Sequence, residues 1–171
     1  MDELNRKSVE EFRRSEKIPV VVVLDNVRSM NNVGSIFRSA DAFLLEAIYL
    51  CGYTPRPPHR DIQKTALGAT ETVQWEYHEA IVPALLQLKQ NGYAICAVEQ
   101  AEGSIMLQDL SIQKSAKIAL VFGNEVEGVQ DEVINICDQC IEIPQAGMKH
   151  SLNISVAAGI VFWEMYRAFG D

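Results

Sequence analysis

Three polar segments of this 171-residue chain hold the residues best able to do chemistry: Asn31-Asn-Val-Gly-Ser-Ile-Phe-Arg38, Phe122-Gly-Asn-Glu-Val-Glu-Gly128, and the stretch from Ile141 to Ile160. The third reads as a short apolar strand, a polar loop with Pro144 and Gly147, and a helix opening on Ser151 or Asn153. Ligands in α/β proteins commonly sit where a strand feeds a helix, because amides at the helix start lack intrahelical partners. In the second segment, Gly123 and Gly128 allow close backbone approach or positive φ. Glu125 and Glu127 would lie near a helix N-terminus, where carboxylates are favoured. In the first, Asn31 or Asn32 suits a helix N-cap, and Arg38 projects from the same helix less than two turns on. Plain structural roles compete with each of these: a capped helix, a surface ion pair of Arg38 with Asp41, a tight turn, and a helix capped by Ser151.

The elements that must position these segments follow from hydrophobic periodicity. Val20 to Leu24 is a continuous apolar run, as expected of a strand buried on both faces. Further strands are predicted at Ala47–Leu50, Val73–Tyr77, Tyr93–Val98, Ile118–Phe122 and Ile141–Ile143. Helical spacing covers Val33–Leu44, Asp61–Leu67, Ala80–Gln90, Val129–Ile136 and Leu152–Phe169. Asn91-Gly92 is a fitting stop signal for the third of these helices, and Pro55, Pro57 and Pro58 keep residues 53–60 in a loop. Alternating strands and helices imply an α/β fold, with a mostly parallel sheet covered by helices on both faces. Residues 1–18 read as an N-terminal helical extension docked through Leu4, Val9 and Phe12, and 19–171 as one domain.

Composition narrows the function classes. Apolar residues make up 48% of the chain and charged residues 22%, ordinary globular usage. Neither a signal core nor an apolar run of membrane-spanning length is present, which predicts a cytoplasmic protein without a membrane partner. Cys137-Asp-Gln-Cys140 has the spacing of half a zinc site, yet no second such pair or His pair accompanies it, so no metal is expected. Strands followed by GxGxxG or GxxxxGK[ST] are absent, which argues against common dinucleotide and P-loop sites. A net charge of −8, from 15 basic and 23 acidic residues, argues against strong non-specific affinity for nucleic acid. Any phosphate-binding patch must be local, with Arg28, Arg38, Arg56, Arg60 and Lys149 in or near the predicted loops as candidates.

In this order, the three segments resemble the three motifs of the SpoU/TrmH family of RNA methyltransferases, in the SPOUT superfamily. Asn32, Gly34 and Arg38 match an Asn-x-Gly-x-x-x-Arg motif whose arginine is the family's proposed catalytic residue. Gly123 and Glu125 match a Gly-x-Glu motif lining the pocket for S-adenosyl-L-methionine (AdoMet), with the next glycine displaced to Gly128. Ile143-Pro144, Gly147 and Ser151 to Ala157 look like the adenosine-holding loop and the start of the last helix. The resemblance spans about Pro19 to Arg167. It implies a catalytic set of Arg38, Asn32, Glu125 and Asn153, and an AdoMet site at Gly123, Ile143, Gly147, Ser151 and Leu152. The implied reaction is methyl transfer to a ribose 2′-oxygen of tRNA or rRNA, on a fold carrying a C-terminal trefoil knot. A related base methyltransferase and a non-catalytic RNA- or AdoMet-binding module are the alternatives.

A homodimer is expected on two grounds. From Leu152 to Phe169 only Glu164 and Arg167 are charged. One apolar stripe comprises Leu152, Val156, Ile160 and Trp163, a second Ile154, Ala157, Val161 and Met165, and Phe162, Tyr166 and Phe169 extend the apolar surface. A helix apolar almost all round must bury both sides. The family resemblance implies the same, since its members dimerise through this helix.

Overall fold

Val20 to Leu24 are at most 2% exposed, because the strand that carries them has helices against both faces. Burying each such side chain contributes about 1.5–3 kcal/mol, so this strand anchors the molecule. The computed structural model describes residues 7–149 and 151–170. In chain order its elements are α1 (Val9–Arg14), β1 (Ile18–Asp25), α2 (Met30–Ala42), β2 (Leu45–Cys51), α3 (Arg60–Ala66), α4 (Ala69–Thr72), β3 (Gln74–His78) and α5 (Ile81–Gln90). These are followed by β4 (Tyr93–Val98), β5 (Ile105–Met106), β6 (Lys117–Phe122), α6 (Asp131–Ile136), β7 (Gln139–Glu142) and α7 (Ile154–Gly170).

The strands form one sheet in the order β3-β2-β1-β6-β4-β7-β5, and every described pairing is parallel. The expected mostly parallel sheet is therefore entirely parallel among the described strands. Its two faces divide the core by strand alternation. Val20, Val22, Leu24, Ile48, Leu50, Leu120 and Phe122 pack with residues of α1, α2, α3, α4 and α7. Val21, Val23, Ile95, Ala97, Ala119 and Val121 pack with α5 and α6. The chain leaves β1 toward β2 on one side, and β6 joins β1 on the other. Crevices at the carboxyl ends of parallel strands form near such a switch of direction.

Part of the predicted N-terminal helix, with Leu4, lies outside the described residues. The described part is shorter than expected: Ser8 caps α1 through a capping box with Glu11, Phe12 is buried, and Val9 stays 40% exposed. In the first motif, the helix N-cap is Ser29 rather than Asn31 or Asn32, its hydroxyl accepting from the Asn32 amide. Gly34 is a packing residue, since a Cβ there would lie 2.1 Å from Thr65 Oγ1 and 2.2 Å from the Ile62 carbonyl oxygen. Only glycine lets α2 and α3 approach this closely.

One face of α7 is settled by the core. Ala158, Val161, Phe162 and Met165 are fully buried, and the Phe162 ring meets Phe122 edge-on with centroids 6.0 Å apart. Phe162 is thus a core residue, and the expectation that it extends an outer apolar surface is corrected. The outer stripe is Val156, Ile160, Trp163 and Tyr166, from 38% to 53% exposed. Among the described residues no helix is long and apolar enough to cross a membrane.

Candidate active site

The three motifs meet through one carboxylate and two amides. Glu125 Oε2 accepts from the Arg28 amide at 3.1 Å, and Oε1 accepts from the Ser29 amide at 3.1 Å and from Asn32 Nδ2 at 3.3 Å. Asn32 Oδ1 in turn accepts from Asn153 Nδ2 at 3.2 Å. Asn153 Oδ1 accepts from the Ser155 and Val156 amides at 2.9 and 3.4 Å, which makes Asn153 the residue that caps α7. Ser151 does not serve as that cap. Residues 32, 125 and 153, far apart in sequence, form a continuous hydrogen-bonded chain between the starts of α2 and α7. Because α2 and α7 cover the same face of the sheet, Glu125 ties both helix starts to the loop after β6.

That loop has its shape from two glycines and a buried asparagine. A Cβ at Gly123 would fall 2.2 Å from the Gly128 carbonyl carbon and oxygen and 2.4 Å from the Val129 nitrogen. Gly128 has φ +70° and faces Glu99 Oε2 so closely that a Cβ would lie 2.4 Å away. Asn124 is 8% exposed, and its Oδ1 accepts from the Val126 and Glu127 amides at 2.9 and 3.1 Å. Its Nδ2 donates to the Asn26 carbonyl at 2.8 Å, binding the loop to the end of β1. Glu99, at the end of β4, accepts from the Val129 amide at 3.1 Å and closes the other side.

Beneath this frame is a cavity of about 830 Å³ at the carboxyl ends of β4, β6 and β7. Val98, Ile134, Ile141, Leu152 and Ala157 give it apolar walls, and Glu99, Glu125, Glu127, Asp131 and Glu142 give it negative charge. Among the described residues no Lys, Arg or His lines it. Such a cavity suits a cationic ligand with a flat apolar part. A polyanion is repelled from it and must dock on its surroundings.

Of the residues singled out from sequence, Gly123, Glu125, Ile143, Ser151, Leu152 and Asn153 line the cavity. Asn32 reaches it through Glu125 and Asn153. Gly147 is exposed and not in the lining, and a Cβ there would meet nothing within 4 Å. Arg38 is also exposed and outside the lining, and makes no hydrogen bond or ion pair among the described residues. The competing plain role, an ion pair with Asp41, is not formed, and the Asp41 carboxylate accepts the Thr72 hydroxyl. Arg28, Arg60 and Lys149 are exposed on loops or a helix start, and the Arg56 guanidinium lies 4.0 Å over the Tyr77 ring. Cys137 ends α6 and Cys140 lies in β7. Burial pushes the Cys137 thiol up to about 12, and no group of His, Cys, Asp and Glu among the described residues could hold a metal ion.

Sequence reasoning missed Asn124 and Glu99. Asn124 lies inside a segment already flagged, between Gly123 and Glu125. Glu99 carried a weaker signal, a carboxylate directly after a buried strand, where ligand sites in parallel sheets tend to form.

Burial raises the Glu125 pKa, but bonds from the Arg28, Glu125 and Ser29 backbone and the Asn32 side chain outweigh it and hold the carboxyl below its ordinary value. A depressed carboxyl pKa contributes stability above the unfolded-state pKa, and this is lost as pH falls through the folded one. Glu125→Gln is therefore expected to lower the melting temperature near neutrality by about 3–6 °C. The gap to the unmodified protein should narrow as pH drops below the ordinary glutamate range. A gap constant with pH would show that charge on Glu125 is not what holds the two helix starts.

Comparison with known proteins agrees with this geometry. The SpoU rRNA Methylase family model matches residues 19–163. The tRNA (guanosine(18)-2′-O)-methyltransferase of Aquifex aeolicus is 32% identical over 167 residues, covering 94% of this chain and 75% of that protein. The crystal structure of the A. aeolicus TrmH/SpoU tRNA modifying enzyme superposes with a TM-score of 0.82 at 29% identity, covering 94% of this chain and 80% of the other. An AdoMet-bound rRNA methyltransferase from Sinorhizobium meliloti superposes with a TM-score of 0.80 at 28% identity, covering 91% of this chain and 59% of that one. With its motifs joined at one cavity and a family match over most of its length, the chain belongs to the SpoU rRNA methylase family.

Proposed function

We propose that the protein transfers the methyl group of AdoMet to a ribose 2′-oxygen of tRNA or rRNA. The observation that carries this is the chain Glu125–Asn32–Asn153 at the rim of an acidic, partly apolar cavity. The cavity fits AdoMet: its volume accommodates a nucleoside with an amino-acid arm, its carboxylates suit a sulfonium and an ammonium, and its glycine-built wall lets main chain approach the ligand. AdoMet, when bound, supplies an electrophilic methyl on sulfur.

The chain's own residues have three tasks. Gly123, Ile143, Ser151 and Leu152 hold the adenosine part, with Gly147 in the same loop. Glu125, Asn32 and Asn153 fix the loops around it, so that oxygen, carbon and sulfur can be aligned, and alignment supplies much of the rate. Arg38 is the cation that stabilises the ribose oxygen as its proton leaves to water and an O–CH3 bond replaces the S–CH3 bond. A guanidinium is a permanent cation, so this electrostatic role needs no change of its charge state.

Since Arg38 does not line its own chain's cavity, the reading includes a homodimer through the exposed stripe of α7, in which the second copy brings Arg38 to the reacting centre. The trefoil knot belongs to the same family-based reading, and the division at residue 18 rests on the charge-dense pattern of the N-terminal segment. A tRNA or rRNA substrate makes the cytoplasm the expected compartment. RNA is met by Arg28, Arg38, Arg56, Arg60 and Lys149 outside the acidic cavity.

The test is methyl transfer from labelled AdoMet to unmodified bulk tRNA and rRNA, followed by mapping of 2′-O-methyl positions. Label on a base nitrogen instead of a ribose would replace the ribose assignment, and no transfer to either RNA would remove the enzymatic one.

Gly123 and Gly147 make different demands. Gly123→Ala drives a Cβ into backbone, and is expected to abolish AdoMet binding and lower the melting temperature. Gly147→Val is expected to leave the melting temperature unchanged, since space around it is open, and to weaken AdoMet binding by about 10-fold through contact with the ligand. Calorimetry with AdoMet separates the two, and unchanged affinity in Gly147→Val would free that glycine from the site.

A further inference from the structure

Tyr53 is 83% exposed, yet the backbone beneath it is pinned on all sides. Its amide donates to Asn26 Oδ1 at 2.9 Å. The preceding Gly52 adopts φ +63°, and a Cβ there would lie 2.2 Å from the same Asn26 oxygen. The Gly52 amide donates to the His78 carbonyl at 3.0 Å, and its carbonyl accepts the Tyr77 hydroxyl at 3.1 Å. The following Thr54 is buried. Its hydroxyl accepts from the Val27 amide at 3.1 Å and lies 3.0 and 2.8 Å from the Leu24 and Cys51 carbonyls. The loop after β2 is thereby locked to the loop after β1, and its one large apolar side chain points at solvent.

The surroundings say what would cover that ring. Arg56 follows within the same loop, held over Tyr77 at 4.0 Å, and His59 and Arg60 are exposed beyond it. The next exposed large apolar residue along the chain is Leu67. A protein interface needs a contiguous apolar patch, and this loop offers only one large apolar side chain toward it. A lone aromatic ring in one loop with a held guanidinium has the chemistry that receives an unstacked base and its phosphate. The location fits too. Asn26, which holds Tyr53, also accepts through its carbonyl from Asn124 in the cavity loop at 2.8 Å. β2 lies two strand spacings from β6, about 10 Å, so the loop that carries Tyr53 leaves the sheet at the same carboxyl-terminal edge as the cavity loop.

We propose that Tyr53 is a stacking platform for an unpaired base of the RNA substrate, with Arg56 holding the adjoining phosphate. The inference rests on the RNA reading above and assigns a substrate-binding residue to it. The platform selects RNA whose target lies in a loop or other unpaired segment, because a base inside a duplex cannot be laid on the ring.

The test compares the unmodified protein with Tyr53→Ala and Tyr53→Phe, by filter binding to unmodified tRNA and to rRNA fragments transcribed in vitro. Tyr53→Ala is expected to weaken RNA binding roughly 5- to 150-fold, raise KM for RNA, and leave AdoMet affinity and melting temperature unchanged. Tyr53→Phe is expected to bind as the unmodified protein does. Unchanged binding in Tyr53→Ala overturns the platform, as does a Phe variant as weak as the Ala one, which would make the hydroxyl the contact. A change of molecular mass in Tyr53→Ala by light scattering would assign the ring to a protein contact and also overturn it. If the unmodified protein binds neither RNA, the RNA reading falls and the platform with it. If it binds and Tyr53→Ala binds equally, only the platform falls.

Discussion

Arg38→Ala is expected to lower methyl transfer about 100- to 1000-fold, the usual loss when a group that stabilises developing negative charge is removed. AdoMet affinity and melting temperature should stay where they are. Two observations separate chemistry from binding here. Arg38 is outside the cavity lining and outside the chain Glu125–Asn32–Asn153, so its loss leaves the ligand's surroundings intact. It is exposed and without a polar partner among the described residues, and a change at such a position shifts stability by less than about 0.5 kcal/mol. Arg38→Lys keeps the charge but loses the planar fork, and should recover only part of the rate. Single-turnover transfer with saturating AdoMet and RNA is the measurement. Equal rates for Ala and Arg at position 38 would take this residue out of the mechanism.

What could be read ahead of the structure follows from how each signal arises. Val20–Leu24 and Ile118–Phe122 declare themselves because burial on both faces demands apolar residues at every position, a pattern hard to produce otherwise. β5 has two residues and α4 four, too few to carry a period. α7 failed in a different way. Its existence was plain, but a helix apolar nearly all round does not announce which stripe faces the sheet, and Phe122 decided that by receiving Phe162. In the first motif Asn31 and Asn32 are the expected N-caps, but α2 begins one residue before them, at Met30, and Ser29 takes the cap. Gly34 fits a ligand motif by spacing yet is needed for the contact with Ile62 and Thr65. The joining of Asn32, Glu125 and Asn153 is a tertiary fact; the motifs named its members but local patterning could not bring them together.

Mixing two inactive variants is expected to restore activity. If the second copy supplies Arg38 to a cavity, a dimer of one Arg38→Ala chain and one Gly123→Ala chain holds one site with an intact cavity and an intact arginine. Random pairing makes half the dimers mixed, each with one good site of two, so co-expression should yield about a quarter of the unmodified rate. The dimer itself is tested on α7. Phe162→Glu would bury a carboxylate in the core and unfold the protein whatever its assembly. Trp163→Glu changes an outer position that is 53% exposed in the single chain, in the stripe with Val156, Ile160 and Tyr166. A folded Trp163→Glu monomer without methyl transfer is expected, because a stripe meant for a partner rejects a charge at its centre. Light scattering decides between mass near 19.1 kDa and twice that. An unmodified protein that stays near the single-chain mass over a wide concentration range would refute the dimer. Dimers that form in the mixture without any recovered rate would refute the shared site alone, and place Arg38 and the cavity of its own chain in the same reaction.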